Sequence, residues 1–196
     1  EPSRAGAVLR ELEAAAAIRF HRGSKLVADP VLRDVGIDVA IHREREEVVE
    51  GRLLDKTTKF QMLAKAYTGQ NQRAQVHALA DDIAKALTQL PGIAQTKIAF
   101  KVEPGARRSE VYISDFDAHN PVAITSDQSL VSSPNWAGRG TLVYASYKLG
   151  NPYIFSHVLG SGARTAVARY AGDNYSPSVS PDGRKVAMIL NKSGSP

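Results

Sequence analysis

The stretch that decides the fold is Ser176-Pro177-Ser178-Val179-Ser180-Pro181-Asp182-Gly183-Arg184-Lys185-Val186-Ala187. A segment with Ser-Pro at its start leads into the turn at residues 180–183. In that turn proline fixes one backbone dihedral, aspartate offers a side-chain acceptor, and glycine tolerates conformations closed to other residues. The stretch therefore predicts two strands joined by a tight connection.

This pattern recurs through the second half of the chain at a spacing of 42 to 44 residues. Each unit holds short apolar strands separated by Gly, Pro, Ser, Asn and Asp. The matching segments are residues 97–100, 141–144 and 185–188; residues 133–136 and 176–179; and residues 111–113 and 153–155. Self-similarity at this period, with several strands per unit, is typical of β-propeller blades.

The first half has a different pattern. Residues 3–19 carry apolar side chains at helical spacing, and so do residues 76–87, where we expect Leu79, Ile83 and Leu87 to be buried. Pro91-Gly92 ends this second helix at Leu90. Between them, Val48–Leu54 and Phe60–Ala66 predict a β-hairpin with a loop of about five residues. We therefore predict an α+β amino-terminal domain over residues 1–93, a mixed sheet with two helices, followed by a partial all-β propeller over residues 94–196.

Both the blade motif and the segments around the predicted boundary resemble the TolB family. The segments that carry the resemblance are Tyr67-Thr68-Gly69, Ala80-Asp81-Asp82-Ile83, Pro91-Gly92-Ile93, Thr96-Lys97-Ile98-Ala99-Phe100 and Glu110-Val111-Tyr112-Ile113-Ser114-Asp115-Phe116-Asp117. The resemblance runs from about residue 51 to residue 196. The turn alone is less specific, because propellers of prolyl-oligopeptidase-like serine hydrolases use it too, and such a hydrolase is the alternative interpretation.

The resemblance implies a periplasmic, non-enzymatic adaptor of the Tol-Pal system without a cofactor. It would bind the lipoprotein Pal and TolA, maintain outer-membrane integrity and support cell division. Family propellers have six blades, whereas residues 97–196 hold two blades and the start of a third. Because an open propeller exposes strand edges, we expect the chain to belong to a longer protein, or otherwise to self-associate through edge strands.

Blade edges that border a propeller channel converge on one face, which makes the repeated Ser-Pro segments the candidate partner-binding residues. These are Ser133, Pro134, Asn135, Trp136, Ser176, Pro177 and Ser178. The simplest role of Trp136 is packing between blades.

Composition argues against several other functions. The net charge is +5, but the densest basic run, near residues 43–47, is interleaved with glutamates, which disfavours nucleic-acid binding. There is no cysteine, and the five histidines lack metal-ligand spacing, so no metal site is predicted. The chain opens at Glu1 and has no run of about 18 apolar residues, which predicts a processed product that meets the membrane only through partners.

Two acidic groupings also receive structural interpretations. Asp115, Asp117 and Asn120 do not continue into a calcium-binding loop pattern, so we predict a turn between blade strands. Asp81 and Asp82 are adjacent on a helix, point about 100° apart and predict a solvated face. No Gly-x-Ser-x-Gly motif is present to mark a hydrolase nucleophile.

Overall fold

The computed structural model describes residues 35–42, 48–55, 57–69 and 71–192. They form two compact units, the first comprising residues up to Thr96 together with Asp115–Asp117, and the second comprising Lys97–Ser114 and the residues from Ala118 onward. The domain boundary after residue 93 stays a prediction. Among the described residues, no helix has the length and apolar character needed to span a membrane.

The described part of the first unit is a three-stranded sheet with one helix. Strands β1 (Val35–His42), β2 (Val48–Asp55) and β3 (Gln61–Tyr67) pair in that order, and α1 covers Gln72–Thr88. The hairpin prediction is confirmed. The predicted mixed sheet is not seen in these strands: both pairs are antiparallel, because connections of about five residues are too short for a parallel crossover. The predicted helix over residues 3–19 lies outside the described residues.

Helix α1 begins and ends at residues suited to those positions. The Asn71 side chain accepts a hydrogen bond from the Ala74 amide at 2.8 Å, and Gln89 adopts a left-handed conformation with φ of 62°. The predicted apolar stripe is confirmed for Leu79 and Ile83, whereas Leu87 is only partly buried. Leu79 and Ile83 are buried against β2, with Leu87 at the rim of the same core.

The predicted solvated face of α1 is wrong. Asp81 accepts hydrogen bonds from the Ala94 amide at 2.6 Å and the Gln95 amide at 3.2 Å, which fixes the loop after the helix. Asp82 accepts hydrogen bonds from Lys65 and from the Tyr67 hydroxyl, both at 2.8 Å. Burial works to raise the pKa of Asp82, but these two donors hold it below its ordinary value.

The second unit is built from three successive antiparallel sheets. The first contains β4 (Lys97–Gly105), β5 (Arg108–Asp115) and β6 (Val122–Ala123). The second contains β7 (Val131–Trp136), β8 (Thr141–Leu149), β9 (Asn151–Val158) and β10 (Ala163–Ala168), in the order β10-β9-β8-β7. The third contains β11 (Asp173–Val179) and β12 (Val186–Asn191). The architecture is propeller-like, and the four-stranded sheet is a complete blade.

The complete blade is covered on both faces. Leu142 and Tyr144 of β8 belong to one apolar cluster, which includes Val111 of β5. Val143 and Ala145 belong to another, against which Met188 of β12 packs. Alternate residues of β8 therefore face the sheets before and after it, which explains why residues 142–145 are apolar without interruption.

Gly172 should tolerate a side chain much less well than Gly183. Both residues have positive φ, of 87° and 71°, so alanine at either should cost about 1–2 kcal/mol of backbone strain. A methyl group at Gly172 would also overlap the carbonyl oxygen of Asn191, whereas Gly183 faces open space.

We expect urea unfolding to give a loss of about 2–5 kcal/mol for Gly172→Ala and of about 1–2 kcal/mol for the control Gly183→Ala. Equal losses would show that the overlap relaxes without cost.

Candidate partner-binding surface

The two Ser-Pro segments form the same irregularity in two equivalent strands. The pairing register shifts between Ser132 and Asn135 in β7, and between Tyr175 and Ser178 in β11. Ser133 and Ser176 have φ of 53° and 51°, which is uncommon outside glycine. Proline has no N–H to give to the ladder, and each Ser-Pro pair lies in a β-bulge. The sequence repeat therefore corresponds to a repeated backbone shape.

The structure divides the seven predicted site residues into two groups. Ser133, Ser176 and Ser178 are exposed, on strands that form the edge of their sheets. The other four are partly or fully buried, namely Pro134, Asn135, Trp136 and Pro177. Trp136 packs against the cluster that contains Tyr144. Only the three serines present their side chains freely to a partner.

Asn135 joins the two strands. Its side-chain oxygen accepts a hydrogen bond from the Val179 amide at 3.1 Å. The carboxyl-terminal parts of β7 and β11 are therefore adjacent.

A second surface was missed by sequence reasoning. It consists of exposed apolar side chains at the end of the blade where β7 begins and β8 ends, and we call it the apolar end. Its members are Leu130, Tyr147, Leu149 and Tyr170, whose exposed fractions range from 37% at Tyr147 to 55% at Tyr170. The Tyr147 amide donates to the Leu130 carbonyl at 2.9 Å, so these two residues adjoin.

Asn174 places the loop that carries Tyr170 at the same end. Its side-chain nitrogen lies 2.9 Å from the Tyr170 carbonyl oxygen and 3.2 Å from the Pro152 carbonyl oxygen, and its oxygen accepts from the Tyr170 amide. Pro152 follows the turn that carries Leu149. Because Asn174 is fully buried, this loop is held from inside the fold.

Basic groups accompany the apolar end. The Lys148 ammonium lies 5.6 Å from the Phe155 ring centre, and the Arg169 guanidinium lies 5.1 Å from that of Tyr153. Arginine and exposed aromatic residues are enriched in protein interfaces. The apolar end therefore has the composition of a protein-binding surface.

The acidic residues first considered as calcium ligands face a cation. Arg73 of α1 donates to Asp115 at 3.1 Å and also to Asp117, all within the first unit. This ion pair explains the acidic residues without a metal ion.

A buried polar group lies within the complete blade. The Tyr144 hydroxyl and Nδ1 of His157 are 3.1 Å apart, and the Arg164 guanidinium lies 5.3 Å from the Tyr144 ring centre. Burial raises the pKa of Tyr144. Burial, and then the charge of Arg164, lower the pKa of His157 from its ordinary 6.5, so the imidazole stays neutral.

We expect His157 to make the protein less stable in mild acid. The unfolded chain takes up this proton near pH 6.5 and the folded chain only at lower pH, so stability present above pH 6.5 is lost as the pH falls. In the variant His157→Asn, the free energy of unfolding should fall less between pH 7 and pH 5 than it does in the wild-type chain. The two slopes should differ by at most about 1.4 kcal/mol per pH unit, as measured by chemical unfolding. Asp127 opposes the shift, but its own pKa lies below 3.8, outside this window. Parallel curves would contradict the assignment.

Comparison with known proteins identifies the family. A family model described as the TolB beta propeller domain matches residues 84–196. The chain belongs to the TolB β-propeller family. The Tol-Pal system protein TolB of Francisella tularensis subsp. mediasiatica (strain FSC147) is 32% identical over 154 residues, which cover 74% of this chain and 35% of that protein. The protein TolB homolog of Chlamydia felis (strain Fe/C-56) is 33% identical over 132 residues, which cover 63% and 31%.

A solved structure shows the same fold. The crystal structure of TolB from Acinetobacter baumannii matches with a TM-score of 0.79 at 22% identity, over 97% of this chain and 52% of that chain. This chain therefore spans about a third of the length of its TolB relatives and about half of the solved TolB chain.

Proposed function

We propose that this chain serves in a periplasmic, non-enzymatic adaptor of the Tol-Pal system and that its blades bind the lipoprotein Pal. The observation that carries the proposal is membership of the TolB propeller family, whose relatives are named as Tol-Pal system proteins. The same family likeness supports TolA as a second partner and a role in outer-membrane integrity and cell division.

The apolar end supplies a physical reason for protein binding. Exposed apolar groups that adjoin one another on a folded surface commonly mark interaction sites. Leu130 and Tyr147 adjoin through their backbones, and Asn174 fixes the loop of Tyr170 at the same end. We propose that Pal covers this surface, which would remove the tyrosine rings from water.

The bulged serines supply a second, polar contact. Ser133, Ser176 and Ser178 are exposed on edge strands, where hydroxyl and backbone groups are accessible. We propose that these hydroxyls hydrogen-bond to the partner, while Pro134, Asn135, Trp136 and Pro177 hold the strands in place.

The first test is binding of the purified chain to the soluble domain of Pal from the same organism, by titration calorimetry. We expect Tyr147→Ala and Tyr170→Ala each to weaken binding by about fivefold or more, since truncation of a tyrosine that anchors an interface costs over about 1 kcal/mol. The matched control is Phe60→Ala, because Phe60 is an aromatic residue of the first unit with 70% exposure. An unmodified chain without affinity for Pal would refute the proposal, and equal effects of all three variants would refute the chosen surface.

The serines require a separate test. The double variant Ser176→Ala, Ser178→Ala should weaken Pal binding about three- to tenfold, as expected for one or two lost hydrogen bonds. Ser161→Ala, in an exposed turn, is the control. Unchanged affinity in the double variant would restrict the partner contact to the apolar end. A chain that hydrolyses peptide substrates and ignores Pal would instead favour the hydrolase interpretation.

A further inference from the structure

A buried ionic cluster lies beneath the connection between the first and second sheets of the second unit. We define it as Glu110 of β5, Asp127 of the connection, and Arg164 of β10. It combines two carboxylates and one guanidinium, drawn from both sheets and from the loop between them. Charged groups are expensive to bury, so their placement here calls for an explanation.

Glu110 fixes the backbone of the connection. Its carboxylate accepts hydrogen bonds from the Asp127 amide at 3.1 Å, from the Gln128 amide at 2.9 Å, and from the Thr125 hydroxyl. Gln128 has a φ of 52°, a conformation that a free loop would rarely occupy. The Glu110 carboxylate offsets this strain by accepting hydrogen bonds from two successive loop amides, those of Asp127 and Gln128.

Asp127 and Arg164 tie the same loop to the outer strand of the blade. The two carboxylate oxygens lie 2.6 and 2.7 Å from the two terminal guanidinium nitrogens, and Ser146 adds a hydrogen bond at 2.7 Å. The side chains are only 5% and 17% exposed. Burial works to raise the pKa of Asp127, but the Arg164 and Ser146 hydrogen bonds hold it below its ordinary value. A two-pronged pair of this kind fixes direction as well as distance.

The connection leads directly into the apolar end. Ser129 accepts a backbone hydrogen bond from Ser109 at 3.0 Å, and the next residue, Leu130, accepts the Tyr147 amide. The position of Leu130 beside Tyr147 therefore depends on a loop that the ionic cluster holds in one conformation.

We propose that the ionic cluster is a positioning element that keeps residues 126–130 in the conformation the partner binds. Glu110, Asp127 and Arg164 act through the loop and do not touch the partner themselves. The part of this inference that concerns affinity rests on the proposed Pal-binding function. A loop already in its bound conformation avoids the entropy cost of ordering on binding and associates faster than one that must rearrange.

The test variant is the double substitution Asp127→Asn, Arg164→Gln, which removes both members of the ion pair together and leaves Glu110 with its three hydrogen-bond donors. We expect amide hydrogen exchange in residues 126–130 to quicken at least tenfold, while exchange in residues 169–173 stays unchanged. Pal should bind at least fivefold more weakly, mainly through slower association. The matched control is Asp82→Asn, Lys65→Gln, which removes an ion pair of the first unit.

A second variant guards against failure to fold. Arg164→Lys keeps the charge but loses the two-pronged geometry, and it should give an intermediate exchange rate and an intermediate association rate. A thermal melt of each variant establishes that the blade is folded. Unchanged exchange in residues 126–130 would overturn the inference, as would wild-type association with Pal despite faster exchange. If the wild-type chain does not bind Pal, the proposed function fails, and the exchange measurement alone decides whether the cluster orders the loop.

Discussion

The propeller part of the structure depends on covering β8 on both faces. Leu142 and Tyr144 pack toward the sheet that contains β5, whereas Val143 and Ala145 pack toward the sheet that contains β12. Each sheet therefore supplies half of the core of its neighbour, as expected for repeats that cannot bury their apolar faces alone. Strand β4 is the equivalent of β8 in the first sheet of the second unit, and Ile98 is the equivalent of Leu142. Ile98 is nevertheless 42% exposed, whereas Leu142 is fully buried. A blade is complete only when it has a neighbour on each side.

The repeat made most of this architecture predictable, because strand positions follow from spacing and from turn residues. The hairpin of β2 and β3 and the buried stripe of α1 were also predictable from the sequence, because both depend on local periodicity. The hydrogen bonds of Asp81 and Asp82 could not be predicted from the sequence. Their positions on the helix are correct, but their partners are a loop more than ten residues later and a strand before the helix. Contacts between distant segments are not encoded in periodicity.

The candidate surface was predicted only in part, and for a related reason. The repeat located Ser133 and Ser176, but the sequence does not reveal the left-handed conformation that makes each of them a bulge. Tyr147 and Leu149 continue the apolar run of β8 and so resemble core positions. Their exposure, 37% and 50%, depends on what the neighbouring sheets cover, which the sequence of β8 alone does not reveal.

The two connections between sheets solve one problem with different chemistry. A loop close to the core must satisfy its backbone polar groups, and the loop of Tyr170 does so with the neutral amide of Asn174, which both donates and accepts. The loop of Leu130 uses carboxylates, which only accept, so its amides face Glu110 and a cation is needed to balance the buried charge. Arg164 supplies that cation from β10, and with it a link between the loop and the outer strand. The ionic solution therefore makes the order of one connection depend on a charged residue at the far side of the blade, whereas the amide solution ties the other connection to the Pro152 carbonyl of β9 without any charge.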